Sequence, residues 1–170
     1  MATDVPKDSQ DLDLRSASLS DADLLLSWFI QPDSLANSLR SKKEVEPAQH
    51  LAWLESRLAS PDAEIWIAIQ AGERIGQARV ERTDAGLEVS IYVDKAARGR
   101  GTASSILRSV RTQTMTRWPN LPLIARIKPD NEASKLLFTK AGYQLRSKVI
   151  DHEIWQFHRP AEAEFRSDEC

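Results

Sequence analysis

The segment Leu87-Glu88-Val89-Ser90-Ile91-Tyr92-Val93 alternates apolar and polar side chains, the pattern of a half-buried strand. It runs through Asp94-Lys95-Ala96-Ala97 into Arg98-Gly99-Arg100-Gly101-Thr102-Ala103, and then into an amphipathic helix. Strand, Gly-rich turn and helix in that order constrain the chain more than any other feature. The first turn of a helix carries N–H groups without partners and the positive end of the dipole. Gly99 and Gly101 let the backbone approach a bulky anion in dihedrals closed to other residues. Arg98 and Arg100 add charged donors. A pyrophosphate fits such a site. A P-loop would need a Gly-Lys-Ser/Thr ending, which is absent. A dinucleotide fold would place three glycines inside a parallel βαβ unit, whereas this loop has two and follows a β-meander.

The flanking sequence predicts the rest of the fold. Leu12 to Ala17 reads as a short strand. A helix begins near Ser18 to Asp23, with Ser20 as cap and Asp21 and Asp23 at its positive end. It carries Leu24, Leu25, Trp28 and Phe29, and Pro32 stops it. Residues 31–46 show no readable period. Glu46-Pro47-Ala48 opens a second helix with His50, Leu51, Trp53, Leu54 and Leu58 at helical spacing. Ile65 to Ile69 and Ile75 to Glu81 form a hairpin around Ala71 to Arg74. The helix from about Gly101 to Arg117 buries Ala103, Ile106, Leu107, Val110 and Thr114. A strand over Leu121 to Ile127 follows, and then a helix capped by Asp130 or Asn131 and ended by Ala141-Gly142. Tyr143 to Val149 and His152 to Phe157 close the sheet.

With 170 residues and no repeat or linker, one domain over residues 11–160 is expected. Residues 1–10 and the acidic tail 161–170 are polar and expected to be loose. A formal net charge of -2 argues against a broad nucleic-acid or membrane surface. The one cysteine, Cys170, has no partner for an internal disulfide, so a reducing, cytoplasmic setting is expected. His50, His152 and His158 lack metal-ligand spacing, and no metal is expected.

Arg98, Gly101 and Ala103 fill an R-x-x-G-x-A pattern that resembles the coenzyme A motif of the GCN-related N-acetyltransferase (GNAT) superfamily. A second match supports it. Asn131 to Tyr143 resembles that family's N-x-x-(A/S)-x-x-L-(Y/F)-x-x-x-G-(F/Y) signature, with Asn131, Ser134 and Phe138 on one helix face. The resemblance covers roughly residues 12–158. It implies a mixed α+β fold: a mostly antiparallel twisted sheet of six to seven strands, flanked by about four helices. It implies acetyl-CoA as cosubstrate. Backbone of Ile91, Tyr92 and Val93 would pair with the pantetheine arm. Residues Arg98 to Ala103 would hold the pyrophosphate, and Asn131, Ser134 and Phe138 would face the distal cofactor and thioester.

The chemistry implied is loss of a proton from an amine, attack on a thioester carbonyl and release of a thiolate. An alkyl amine has a pKa of about 10, so a base or water relay helps. Backbone N–H groups of the strand before the loop can stabilise the oxyanion. Many family members have tyrosine where this chain has Phe138, which cannot protonate a thiolate. Water, Tyr143, Tyr92 or direct thiolate release are the substitutes. Glu88 lies where some relatives carry a base, although the same pattern suits a solvated strand carboxylate. Ser90 is the alternative on its face.

For the acceptor, Trp28, His50, Trp53 and Arg79 are the candidates. Ser27-Trp28, His50-x-x-Trp53-Leu54 and Ile75-Gly76-Gln77-Ala78-Arg79 look like a GNAT subgroup that acetylates sugar-nucleotide amines or ribosomal-protein alanines. The strand patterns tilt toward the amino-sugar branch. A homodimer is in keeping with family habit. A non-catalytic coenzyme A-binding domain and an unrelated nucleotide-binding module are the competing readings.

Overall fold

The structure, a computed structural model, describes residues 12–39 and 44–158. The expectations for residues 1–10, for the tail 161–170 and for Cys170 lie outside the described residues. In chain order the elements are β1 (Asp13–Ser16), a 3-10 turn (Leu19–Asp21), α1 (Ala22–Phe29), α2 (Pro32–Asn37) and α3 (Pro47–Leu58). Then come β2 (Ala63–Gln70), β3 (Glu73–Thr83), β4 (Gly86–Val93), a second 3-10 turn (Lys95–Ala97) and α4 (Thr102–Arg117). The chain closes with β5 (Leu123–Ile127), α5 (Glu132–Lys140), β6 (Gln144–Lys148) and β7 (Glu153–Phe157).

Seven strands form one sheet in the order β1-β2-β3-β4-β5-β7-β6. Every neighbouring pair is antiparallel except β4 and β5, which are parallel. The fold is the mixed α+β architecture expected, with five α-helices among the described residues rather than about four. The additional helix is α2, in a segment too polar to show a period.

Strand alternation sends the core to both faces. Trp66, Ala68, Ala78, Val80, Leu87, Val89, Leu123 and Ala125 pack with Ile106, Leu107 and Val110 of α4 and Phe138 of α5. On the other face Ile65 and Ile67 pack with Leu25 and Trp28 of α1 and Leu54 of α3. Each such apolar side chain contributes about 1.5–3 kcal/mol on full burial, so these two layers hold the sheet.

Several local expectations shift. The helix start is set by Ser18, not Ser20: its N–H donates to Asp21 Oδ2 at 2.8 Å. Asp21 is buried because Arg15 on β1 pairs with it at 2.8 Å. Pro32 does not merely stop α1; it is the first residue of α2, where its missing N–H costs nothing. On α1, Leu25 and Trp28 are buried while Leu24 and Phe29 are half-buried. On α3, His50 and Leu54 point inward, whereas Leu51 and Leu58 face solvent. The β2–β3 turn is only Ala71-Gly72, both with positive φ, so β3 begins at Glu73. Asn131, not Asp130, caps α5.

Candidate active site

β4 and β5 pair only at Leu87↔Leu123 and Glu88↔Ile124. β4 continues to Val93 and β5 to Ile127, but with no further pairing between them. The sheet therefore opens as a wedge. One wall is Val89, Ser90 and Ile91, and the other runs from Ala125 to Lys128. Asn131, Ser134 and Phe138 of α5 and Asn37 of α2 complete the lining. Unpaired strand backbone inside a sheet is a template for a ligand that can pair as an added strand.

At the end of β4 lies the Gly-rich loop. Gly99 and Gly101 have φ of 76° and 75°, the left-handed region. Gly101 is the N-cap of α4, and the first bond into the helix is Ser105 N–H to Gly101 O at 3.0 Å. The N–H groups of Thr102, Ala103 and Ser104 have no intrahelical acceptor, and no acidic side chain sits in that turn. The Thr102 hydroxyl donates to the buried Ala97 carbonyl at 2.8 Å and so folds the loop back on itself. A Cβ built at Gly99 or Gly101 would meet nothing within 4 Å, so the loop is uncrowded at both glycines. These features fit the phosphates and pantetheine arm of coenzyme A: N–H donors for the anion, and an unpaired edge from Val89 to Val93 for the arm, on which the backbone of Ile91 and Val93 faces the gap and that of Tyr92 turns to β3.

Arg98 is engaged elsewhere as well. Its Nε donates to Val93 O at 2.9 Å and its Nη1 lies 2.6 Å from Asp33 Oδ2 on α2. Arg100 is exposed beside the loop. Burial raises the Asp33 carboxyl, but the Arg98 bond and charge together with the Asp33 and Ser34 backbone donors outweigh it, and the group sits below the usual range. Tyr92 packs on Trp28, with ring centroids 5.7 Å apart, and Arg98 lies 5.5 Å from the Tyr92 ring. Burial, with the nearby Asp33 and Asp94 charges, pushes the Tyr92 phenol up, so it stays neutral. Its oxygen is shielded from solvent.

The Asn131 side chain accepts from Ser134 N–H at 3.1 Å, so it caps α5 while also lining the wedge. Phe138 is buried at the wedge, edge-on to Tyr143 with centroids 4.8 Å apart. Tyr143 packs on Phe157 and lines a different groove, between α4 and α5. The structure thus does not bring Tyr143 to the wedge lining.

Glu88, Ser90 and Tyr92 share the face covered by α1 and α3. Glu88 sits at the closed end of the wedge, where Arg126 Nε lies 3.2 Å from its Oε2. Glu81 is its Cα partner on β3 and pairs with Arg57 of α3. Ser90 is exposed on the wedge wall, and its partner on β3 is Arg79. The Arg79 guanidinium lies 5.4 Å from the Trp53 ring centroid, and Trp53 lies 5.5 Å from His50. Arg79, Trp53 and His50 therefore form one group next to Ser90. Trp28 is a core residue behind Tyr92. Burial holds the His50 imidazole below its ordinary range, against the opposing Ala22 backbone, and its Nε2 has no partner among the described residues.

Asp33, Asn37, Arg126 and Lys128 belong to the site but escape sequence reading. For Asp33 the available signal is Pro32-Asp33-Ser34, a proline and an acid in a first helical turn. For Arg126 it is polar alternation within Leu123 to Lys128. Among the described residues no helix is long and apolar enough to cross a membrane.

Known structures share this fold. The aminoglycoside acetyltransferase AAC(6')-Ib, solved with paromomycin and acetyl-CoA, aligns with a TM-score of 0.75 at 19% identity, covering 94% of this chain and 99% of that one. Spermidine N-acetyltransferase from Vibrio cholerae, with CoA and spermine, gives 0.75 at 13% identity over 88% and 94%. The ribosomal alpha-N-protein acetyltransferase RimL gives 0.71 at 15% identity over 89% and 91%. Comparison with curated protein sequences gives no match. At such identities the likeness concerns the fold. The sequence itself carries the assignment: residues 11–144 match the acetyltransferase (GNAT) domain model. With that match, the wedge between β4 and β5 and the loop at the head of α4 place the chain in the GNAT acetyltransferase family.

Proposed function

We propose that the acceptor of this enzyme is the primary amine of an amino sugar or sugar nucleotide. Family membership makes the chain an acetyl-CoA-dependent N-acetyltransferase acting on amines. The finer reading rests on what stands beside the wedge. Ser90 opens onto the face where Arg79 lies against Trp53. An aromatic plane suits a sugar ring, and a guanidinium suits a phosphate or hydroxyl of a nucleotide. The reading takes the acceptor to be a small molecule in the cytoplasm, with no nucleic acid or membrane as partner.

In this reading Val93, Arg98 to Ala103, Asn131 and Ser134 hold the cosubstrate, which supplies the acetyl group. The N–H groups of Val89 and Ile91 polarise the carbonyl, since that of Ser90 turns toward β3, and Phe138 closes the wedge to bulk water. Glu88 and Ser90 take the amine's proton. They lie two residues apart on one strand face, roughly 6.5–7 Å along the chain, a span that one water bridges. Arg126 holds Glu88 in place.

The test is a thiol-release assay with saturating acetyl-CoA and four acceptors: a nucleotide-linked amino sugar, an aminoglycoside, spermidine and a peptide with a free N-terminal alanine. The amino sugar is expected to give the highest kcat/KM. Preference for the peptide would favour a RimL-like role, and preference for spermidine would likewise reject the proposal. Coenzyme A binding without turnover of any amine would point to a non-catalytic domain.

A further inference from the structure

α2 lies across the open end of the wedge, and it is attached on both sides. Asp33, in its first turn, holds Arg98 beyond the end of β4 at 2.6 Å. The Ala36 carbonyl accepts from the Lys128 ammonium, one residue beyond the end of β5. The helix thus spans the two strands where they have separated. Asn37, its last residue, lines the wedge.

Little else holds this helix down. None of its residues is buried, so apolar contact contributes little. Ser34 Oγ is shielded from solvent with no hydrogen-bond partner among the described residues, which weakens the docking further. The Arg98 contact therefore weighs heavily in the local stability of α2. Arg98 is shared with the phosphate loop, because its Nε also donates to Val93 O. A guanidinium has five N–H donors, so contacts to Val93 and Asp33 leave others for an anion at the loop.

We infer that Asp33 is a positioning residue that couples the two sides of the site. Phosphate bound at Gly99 to Ser104 fixes Arg98, and through Asp33 it fixes α2 and Asn37 as the acceptor-side wall. The acceptor wall is then complete only once the loop is loaded. This rests on the assignment of Arg98 to Ala103 as the phosphate loop.

Hydrogen exchange with mass-spectrometric readout, on the full chain with and without coenzyme A, tests it. In the wild type, coenzyme A is expected to slow exchange across residues 99–104, and across residues 34–38 by about ten-fold. Asp33→Asn is expected to keep the loop protection and a coenzyme A Kd within about three-fold of wild type, while losing the protection of α2. Asp33→Glu restores it in part. Equal α2 protection in wild type and Asp33→Asn overturns the inference, as does a wild type whose loop is protected while α2 is unaffected. A loop left unprotected by saturating coenzyme A would instead reject the phosphate-loop assignment, and the inference with it.

Discussion

Arg126 and Glu88 meet across β4 and β5 at the point where the two strands stop pairing, with Nε 3.2 Å from Oε2. The contact joins the closed end of the wedge to the face on which Ser90 opens. Both side chains are partly exposed, at 40% and 33%, so the pair adds at most about 1 kcal/mol to stability. Its value lies in orientation. Glu88→Gln is expected to lower kcat by about 100-fold, the lower range for loss of a general base, and to leave coenzyme A binding intact. Steady-state kinetics with the best acceptor decides this. A loss of less than about three-fold would return Glu88 to the status of a solvated strand carboxylate.

Gly101→Glu puts a carboxylate at the head of α4. The site is sterically open, but φ of 75° strains any side chain, so a stability loss of about 1–2 kcal/mol is expected. The larger effect falls on ligand binding, with coenzyme A affinity reduced at least about ten-fold by repulsion and lost donor access. Thermal melts with and without coenzyme A separate the two. An undiminished ligand-induced shift would mean that the phosphates bind elsewhere.

Gly76 is required by close approach. A Cβ there would lie 2.3 Å from the Tyr92 carbonyl oxygen, well inside contact distance. Backbone cannot swing away as a side chain can, so Gly76→Ala must push β4 outward. A loss of about 1–3 kcal/mol is expected, together with weaker coenzyme A binding, because β4 is one wall of the wedge. Denaturant melts and calorimetric titration read the two effects. Unchanged binding alongside reduced stability would show that the wall absorbs the shift.

His50 gives the fold a pH dependence of defined sign. Burial lowers its folded-state pKa, so the unfolded chain takes up the proton first as pH falls. The stability contribution is fully present above the unfolded value of about 6.5 and is lost as pH falls from there toward the folded pKa. His50→Gln is expected to flatten the difference between melts at neutral and mildly acidic pH. A variant with the same slope as wild type would assign that slope to other groups.

The Gly-rich turn into α4 was legible because its determinants are local. Gly99, Gly101 and the free amides of a helix start act within six consecutive residues, and alternation in Leu87 to Val93 marks the strand that feeds them. The same holds for most elements, since period, caps and turns are near-neighbour properties. α2 was not legible. It buries no residue and is held by Arg98 and Lys128, which lie 65 and 92 positions away from their partners Asp33 and Ala36 in the chain. Tyr143 misled for a related reason: its place beside Phe138 in the motif gives no hint that its ring turns toward Phe157 and the α4–α5 groove.

Sequence alone therefore determined the order of elements other than α2, the Gly-rich turn before α4 and the family, all of which rest on side-chain pattern and backbone freedom over short stretches. Tertiary structure alone decided where β4 and β5 part, which side chains line the gap, and that Arg79 and Trp53 stand beside Ser90. Those relationships depend on strand register and helix docking. They come from packing the whole chain at once, and no local window carries that information.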